Sequence, residues 1–186
     1  MTFYLIVVFL HVLAAFAMFA AMGIEWAAMA SLKQTTDAEQ ARPWMRLLAL
    51  VPRMAGPSGG TLLVTGVYMA MTVWGRQAWI GLGLLGLVLL AVLGGTLTGR
   101  RLAAIGRESA QGSLHGAALL LRLQDPVLIL SLRLRTAIGV WIVFLMTTKP
   151  ISAIALSSLV IAIVLGLAWA APAFGRGRVA ASPGAS

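Results

Sequence analysis

Residues 3–30 read FYLIVVFLHVLAAFAMFAAMGIEWAAMA, a single apolar run interrupted by one imidazole, His11, and one carboxylate, Glu25. A helix needs roughly 20 apolar residues to cross a hydrocarbon core of about 30 Å, and this run exceeds that length. No basic residue precedes it, and it is too long for the apolar core of a cleaved signal peptide, so it reads as a retained transmembrane helix. Four further stretches have the same character: 54–74, 79–99, 127–148 and 151–171. Across the 186 residues, 60% are hydrophobic and 10% charged, and the mean hydropathy is +0.96. Soluble domains are about a quarter charged, so a soluble globular class is excluded. The expectation is an all-α polytopic membrane bundle of five transmembrane helices forming one domain, 1–174. Residues 175–186, rich in Gly, Ala, Ser and Arg, read as a disordered cytoplasmic tail.

The chain has 14 Lys and Arg against 5 Asp and Glu. These basic residues lie between apolar runs, which points to membrane topology and not to nucleic acid. Lys33, Arg42, Arg46 and Arg53 occupy the first connection, Arg100, Arg101, Arg107 and Arg122 the third, and Arg176 and Arg178 the tail. Arg133 and Arg135 fall in the near half of the fourth span, while the other side receives only Arg76 and Lys149. By the positive-inside rule this twelve-to-two division puts the N-terminus out and the C-terminus in. Trp74 and Trp79 then flank the outer Gly75–Ala78 turn, and Trp26 and Trp169 lie near the inner interface, all as membrane anchors.

Two connections are longer than a hairpin requires. Thr36 and Glu39 have capping-box spacing, which predicts a short helix from Asp37 to about Leu50 with Pro43 in its first turns. Its stripe of Trp44, Leu47, Leu48 and Val51 either lies in the lipid interface or covers the end of the bundle. In the later connection Ser113 is positioned to cap a segment reaching Leu123. Asp125 is placed to cap the fourth span, with Pro126 at its first helical position. In the third span, Gly95 and Gly99 form a small-xxx-small pair that suits close packing within the bundle, a homodimer face or a flat ligand.

The absence of cysteine excludes disulfides and thiolate chemistry. Phosphate-binding loops, dinucleotide turns, paired carboxylates and His-x-x-x-His are also missing. That leaves the intramembrane polar groups, which are costly and therefore functional candidates. His11 lies about 12 Å along the first span. At the same depth on other spans fall Thr65 or Gly66, Gly86 or Leu87, Trp141, and Ser157 or Ser158. His11, Ala15, Met18, Met22 and Glu25 share one helix face. A neutral His can ligate haem iron, and Met can serve as a second axial ligand. A hydrogen-bonded structural histidine or a proton-transfer group are the other readings of His11. Glu25 is placed to pair with Arg135 or Arg133 as a structural ion pair, because a lone charge in lipid costs several kcal/mol. An anion or propionate site is the alternative there.

Three stretches carry a family resemblance: Phe9-Leu10-His11; Leu63-Val64-Thr65-Gly66-Val67-Tyr68 followed by Trp74 and Trp79-Ile80; and Phe144-Leu145-Met146-Thr147-Thr148-Lys149-Pro150. The chain resembles a group of small bacterial integral membrane proteins of largely unknown function. That group is related to copper-resistance protein D and the HemJ-type protoporphyrinogen oxidases. The resemblance implies residence in a bacterial inner membrane and a haem or metal contact at His11. The HemJ-like enzymes also use a Lys within a later helix, whereas the third span here, Trp79–Gly99, has none.

Three functional expectations follow. The first is a haem- or porphyrin-binding membrane protein, with His11 as ligand and Met18, Thr65, Trp141 and Ser158 around the cofactor. The second is a non-enzymatic accessory or assembly subunit packed within a larger membrane complex. The third is a metal or small-solute transporter, which the unbroken spans and the absence of acidic residues near mid-membrane disfavour.

Overall fold

The computed structural model describes residues 2–35, 38–75, 77–110, 122 and 125–179, with backbone alone at 38, 109, 110 and 172–179. Helix α1 spans Thr2–Leu32 and α2 spans Ala38–Met69, the latter continuing as a π-helical turn over Ala70–Trp74. Helix α3, Ala78–Val92, passes through a second π-helical segment, Leu93–Gly99, directly into α4, Arg100–Ala110. Helices α5, Pro126–Thr148, and α6, Ser152–Val179, are the remaining described elements. Among the described residues five helical runs are long and apolar enough to cross a membrane: Thr2–Leu32, Glu39–Trp74, Ala78–Glu108, Pro126–Thr148 and Ser152–Ala171. The protein is an all-α helix bundle.

Local chemistry sets the helix ends. The Asp125 carboxylate accepts the Val127 backbone N–H at 2.8 Å and Pro126 takes the first helical position, so α5 begins as its sequence implies. It ends at Lys149, held left-handed at φ 46°, whose ammonium lies 3.9 Å from the centre of the Trp74 ring. Between α2 and α3 the chain reverses at Gly75, where φ 64° and ψ −155° suit a residue without Cβ.

Helix α1 packs along α2, and α5 packs on α6 and α3. One buried cluster, including Ala28, Leu32, Leu48, Ile105 and Leu128, closes the end where most arginines gather, here termed the basic end. A second, including Trp79, Leu90, Ile138, Trp141 and Leu145, fills the space between α3, α5 and α6.

Several boundaries differ from expectation. The helix expected over Asp37–Leu50 is not separate, since α2 runs unbroken from Ala38 through Pro43, Pro52 and Pro57. Burial of Leu48, Val51 and Ser58 on one face holds that helix across its prolines. Leu48 and Val51 are buried and Trp44 and Leu47 pack partly buried against the basic-end cluster, so the stripe covers the end of the bundle, with Leu47 also reaching the outer face. The third span continues past Gly99 because Leu102 and Ile105 pack into the basic-end cluster. Trp79 is buried in the core, edge-on to Trp74 at 5.6 Å, and is thus more than an anchor. Helix α6 runs to Val179, past the domain end expected at 174. The segment expected from Ser113 to Leu123, and residues 180–186, lie outside the described residues.

Candidate functional site

His11 is half-buried on the α1–α2 seam, and its Nδ1 lies 2.8 Å from the Thr65 hydroxyl oxygen. That oxygen is also 2.6 Å from the Thr61 carbonyl. Two oxygens at that separation need a proton between them, and only the Thr65 hydroxyl can supply it. Thr65 therefore donates to Thr61 and accepts from His11, which places the imidazole proton on Nδ1. The lone pair sits on Nε2, which has no hydrogen-bond partner among the described residues. Gly66 makes room for the ring: a Cβ there would stand 3.5 Å from His11 Cε1. Thr65 is buried although its helix faces lipid on either side, with Val64 69% exposed.

The other residues expected at this depth do not join His11. Trp141 donates its indole N–H to the Ser158 hydroxyl at 2.9 Å, deep between α5 and α6. Gly86 serves that second set, since a Cβ there would meet Ile142 and Trp141 at 2.9–3.1 Å. Ser157 is exposed and turns back to the Ile154 carbonyl. The expected layer is thus two separate seams. Met18 points its methyl at α2, 3.4 Å from where a Cβ of Gly59 would be, about two helical turns from His11. Among the described residues no group of three His, Asp or Glu side chains could hold a metal.

Nearer the basic end lies a closed polar network. The Arg135 guanidinium makes a two-pronged contact with the Glu25 carboxylate, Nη1 to Oε1 at 3.0 Å and Nη2 to Oε2 at 2.7 Å. Both side chains are almost wholly buried. Nη1 also lies 3.3 Å from the Thr98 hydroxyl. Thr98 pairs with Ser131 at 2.8 Å, and Ser131 reaches the Leu93 carbonyl at 3.3 Å. Gly94 lets the guanidinium approach the π-helical turn, its missing Cβ standing 3.5 Å from Arg135 Cζ. Three helical runs thereby share one ion pair. Sequence reasoning placed Glu25 with Arg135 or Arg133 but missed Thr98 and Ser131. The available signal was Ser131 one turn from Arg135 on the same face.

Arg133 takes another course. It donates to the Trp169 carbonyl and lies over the Trp169 ring, 5.5 Å from the centroid, while its buried Nε has no partner. Trp169 in turn stacks on Trp26 at 5.3 Å, and the Trp26 indole donates to Thr136 at 2.9 Å. Gly95, proposed with Gly99 for a dimer face, opens to free space, whereas a Cβ on Gly99 would meet the Gly94 carbonyl at 3.2 Å. At the opposite end a cavity of about 420 Å³ on the same α1–α2 seam is lined by Tyr4, Leu5, Tyr68, Thr72 and Val73. Compared with known proteins, the chain matches no family model, no curated protein and no solved structure.

Proposed function

We propose that the protein is a multi-pass bacterial inner-membrane protein, N-terminus out and C-terminus in, that holds haem or a porphyrin through His11. The observation that carries this reading is the hydrogen-bond chain His11–Thr65–Thr61, which leaves the Nε2 lone pair without a partner. Ligating histidines characteristically donate their other N–H to an oxygen that fixes tautomer and ring orientation, and Thr65 fills that role. Gly66 keeps the ring's flank clear. A haem held there would supply one-electron chemistry. His11 would supply a ligand nitrogen through Nε2, and the hydrogen bond to Thr65 would fix the orientation of its ring. Met18 packs into α2 about two turns along the helix from His11.

A second reading, an accessory subunit within a larger membrane complex, is favoured by the large exposed aromatics of α1, Phe3, Phe9 and Phe16. Visible spectra of the purified protein separate the two. Wild type should show a Soret band, and His11→Ala should lose most of its haem per folded protein. Equal haem in both, or none in either after haem loading, removes the first reading in favour of the second.

A further inference from the structure

Helix α2 extends well beyond its apolar stretch. Arg53 lies 21 residues from Trp74, a separation of about 30 Å at helical rise and thus the thickness of the hydrocarbon core. Arg53 therefore stands at the hydrocarbon boundary, and Arg46, about 10 Å further along, at the depth of lipid headgroups. The inward face of this stretch is filled, with Ala41, Leu48 and Val51 buried. Its outward face holds an open, shallow groove lined by α2 alone, through Pro43, Arg46, Leu47, Ala49, Leu50 and Arg53.

Arg46 and Arg53 are seven residues apart, so they share a face two turns from one another. Both are exposed, and among the described residues neither meets a carboxylate. The acid nearest in sequence, Glu39, is held by Arg42 at 3.2 Å. Between the two guanidiniums the floor is apolar, with Leu50 41% exposed.

We propose that this groove is a binding site for an anionic phospholipid. Its phosphate sits between Arg46 and Arg53, whose planar forks suit phosphate oxygens. The glycerol and first methylenes run from there past Leu50 toward the hydrocarbon. Charge complementarity selects an anion, and the apolar floor at headgroup depth selects a lipid over a soluble one.

The test uses the full chain purified in detergent and titrated with phosphatidylglycerol or phosphatidylcholine, bound lipid being counted by native mass spectrometry. Arg46→Gln with Arg53→Gln is compared with wild type and with a charge-matched control, Arg100→Gln with Arg107→Gln, at exposed sites on α4. The groove variant should bind phosphatidylglycerol about 30-fold more weakly, the control should match wild type, and phosphatidylcholine should not distinguish the three. Should the double variant fail to fold, Arg46→Gln alone should weaken binding about fivefold. Equal losses in groove and control variants would reduce the effect to diffuse surface charge and overturn the site. Equal binding of phosphatidylcholine, or displacement of the lipid by inorganic phosphate, would overturn it as well.

Discussion

At Thr65 one hydroxyl proton decides the state of the neighbouring imidazole. It goes to the Thr61 carbonyl, so His11 is the Nδ1–H tautomer with Nε2 as its open acceptor. Nitrogen-15 spectra of the imidazole, assigned with His115→Gln to leave one histidine, should show that tautomer in the cofactor-free protein. The Nε2–H form would contradict the hydrogen-bond direction on which the site rests. Thr65→Val should mix the tautomers, and Thr65→Ser should preserve the single one. Sequence reasoning reached Thr65 as a partner by depth, and that step succeeded. It also placed Trp141 and Ser158 beside His11, which the structure does not. Counting residues inward fixes height along a helix but says nothing about which way around the bundle a neighbour stands. Glu25 and Arg135 pose the complementary case, because opposite charges buried in an apolar bundle must find each other whatever the route. Removing one partner of a buried pair typically costs about 3–5 kcal/mol. Glu25→Gln and Arg135→Gln should therefore each lower thermal stability in detergent strongly, and the double variant should lose much less than the sum. Strictly additive losses would mean that the two side chains act independently.

Among the elements, hydropathy located every span but not where the helices stop. Apolar content ends at the hydrocarbon boundary, whereas helical backbone continues as long as one face finds burial. Leu48 and Val51 extend α2, and Ile105 extends α3 into α4 in this way. The stripe in the first connection was readable from its spacing, yet spacing alone could not tell lipid from protein as the surface it meets. The glycines of α3 offer a graded test of packing. A methyl at Gly86 would press on Ile142 and Trp141 at 2.9–3.1 Å, with the bulky indole behind. At Gly83 the obstacle is the Met146 methyl at 2.5 Å, the free end of a flexible side chain. At Gly81 nothing lies within 4 Å. Overpacking a core costs about 1–3 kcal/mol, so Gly86→Ala should destabilise most, Gly83→Ala less, and Gly81→Ala hardly at all. Melting temperatures in one detergent check the order. An inverted order would mean that α3 does not seat against α5 as described.

For the whole molecule, paired and unpaired charges divide along the same axis. At the basic end Arg42 meets Glu39, Arg101 meets Asp125 and Arg122 meets Glu108, yet Arg46, Arg53, Arg100 and Arg107 remain in excess. At the other end Lys149 rests on the Trp74 ring beside the Gly75 turn. All the carboxylates in the described ion pairs thus lie toward the end that already holds most cations, and they lower its net charge without reversing it. Topology follows the count of Lys and Arg in short loops more than net charge, so these pairings should leave orientation unaffected. A reporter joined after Ser186 should be active only in the cytoplasm, and a cysteine placed in the Gly75–Ala78 turn should react with a membrane-impermeant thiol reagent from outside. Replacing Glu39 and Glu108 with Gln should change neither result. If the two probes report the opposite sides, the N-out assignment fails, and His11 moves from the outer half of the membrane to the inner.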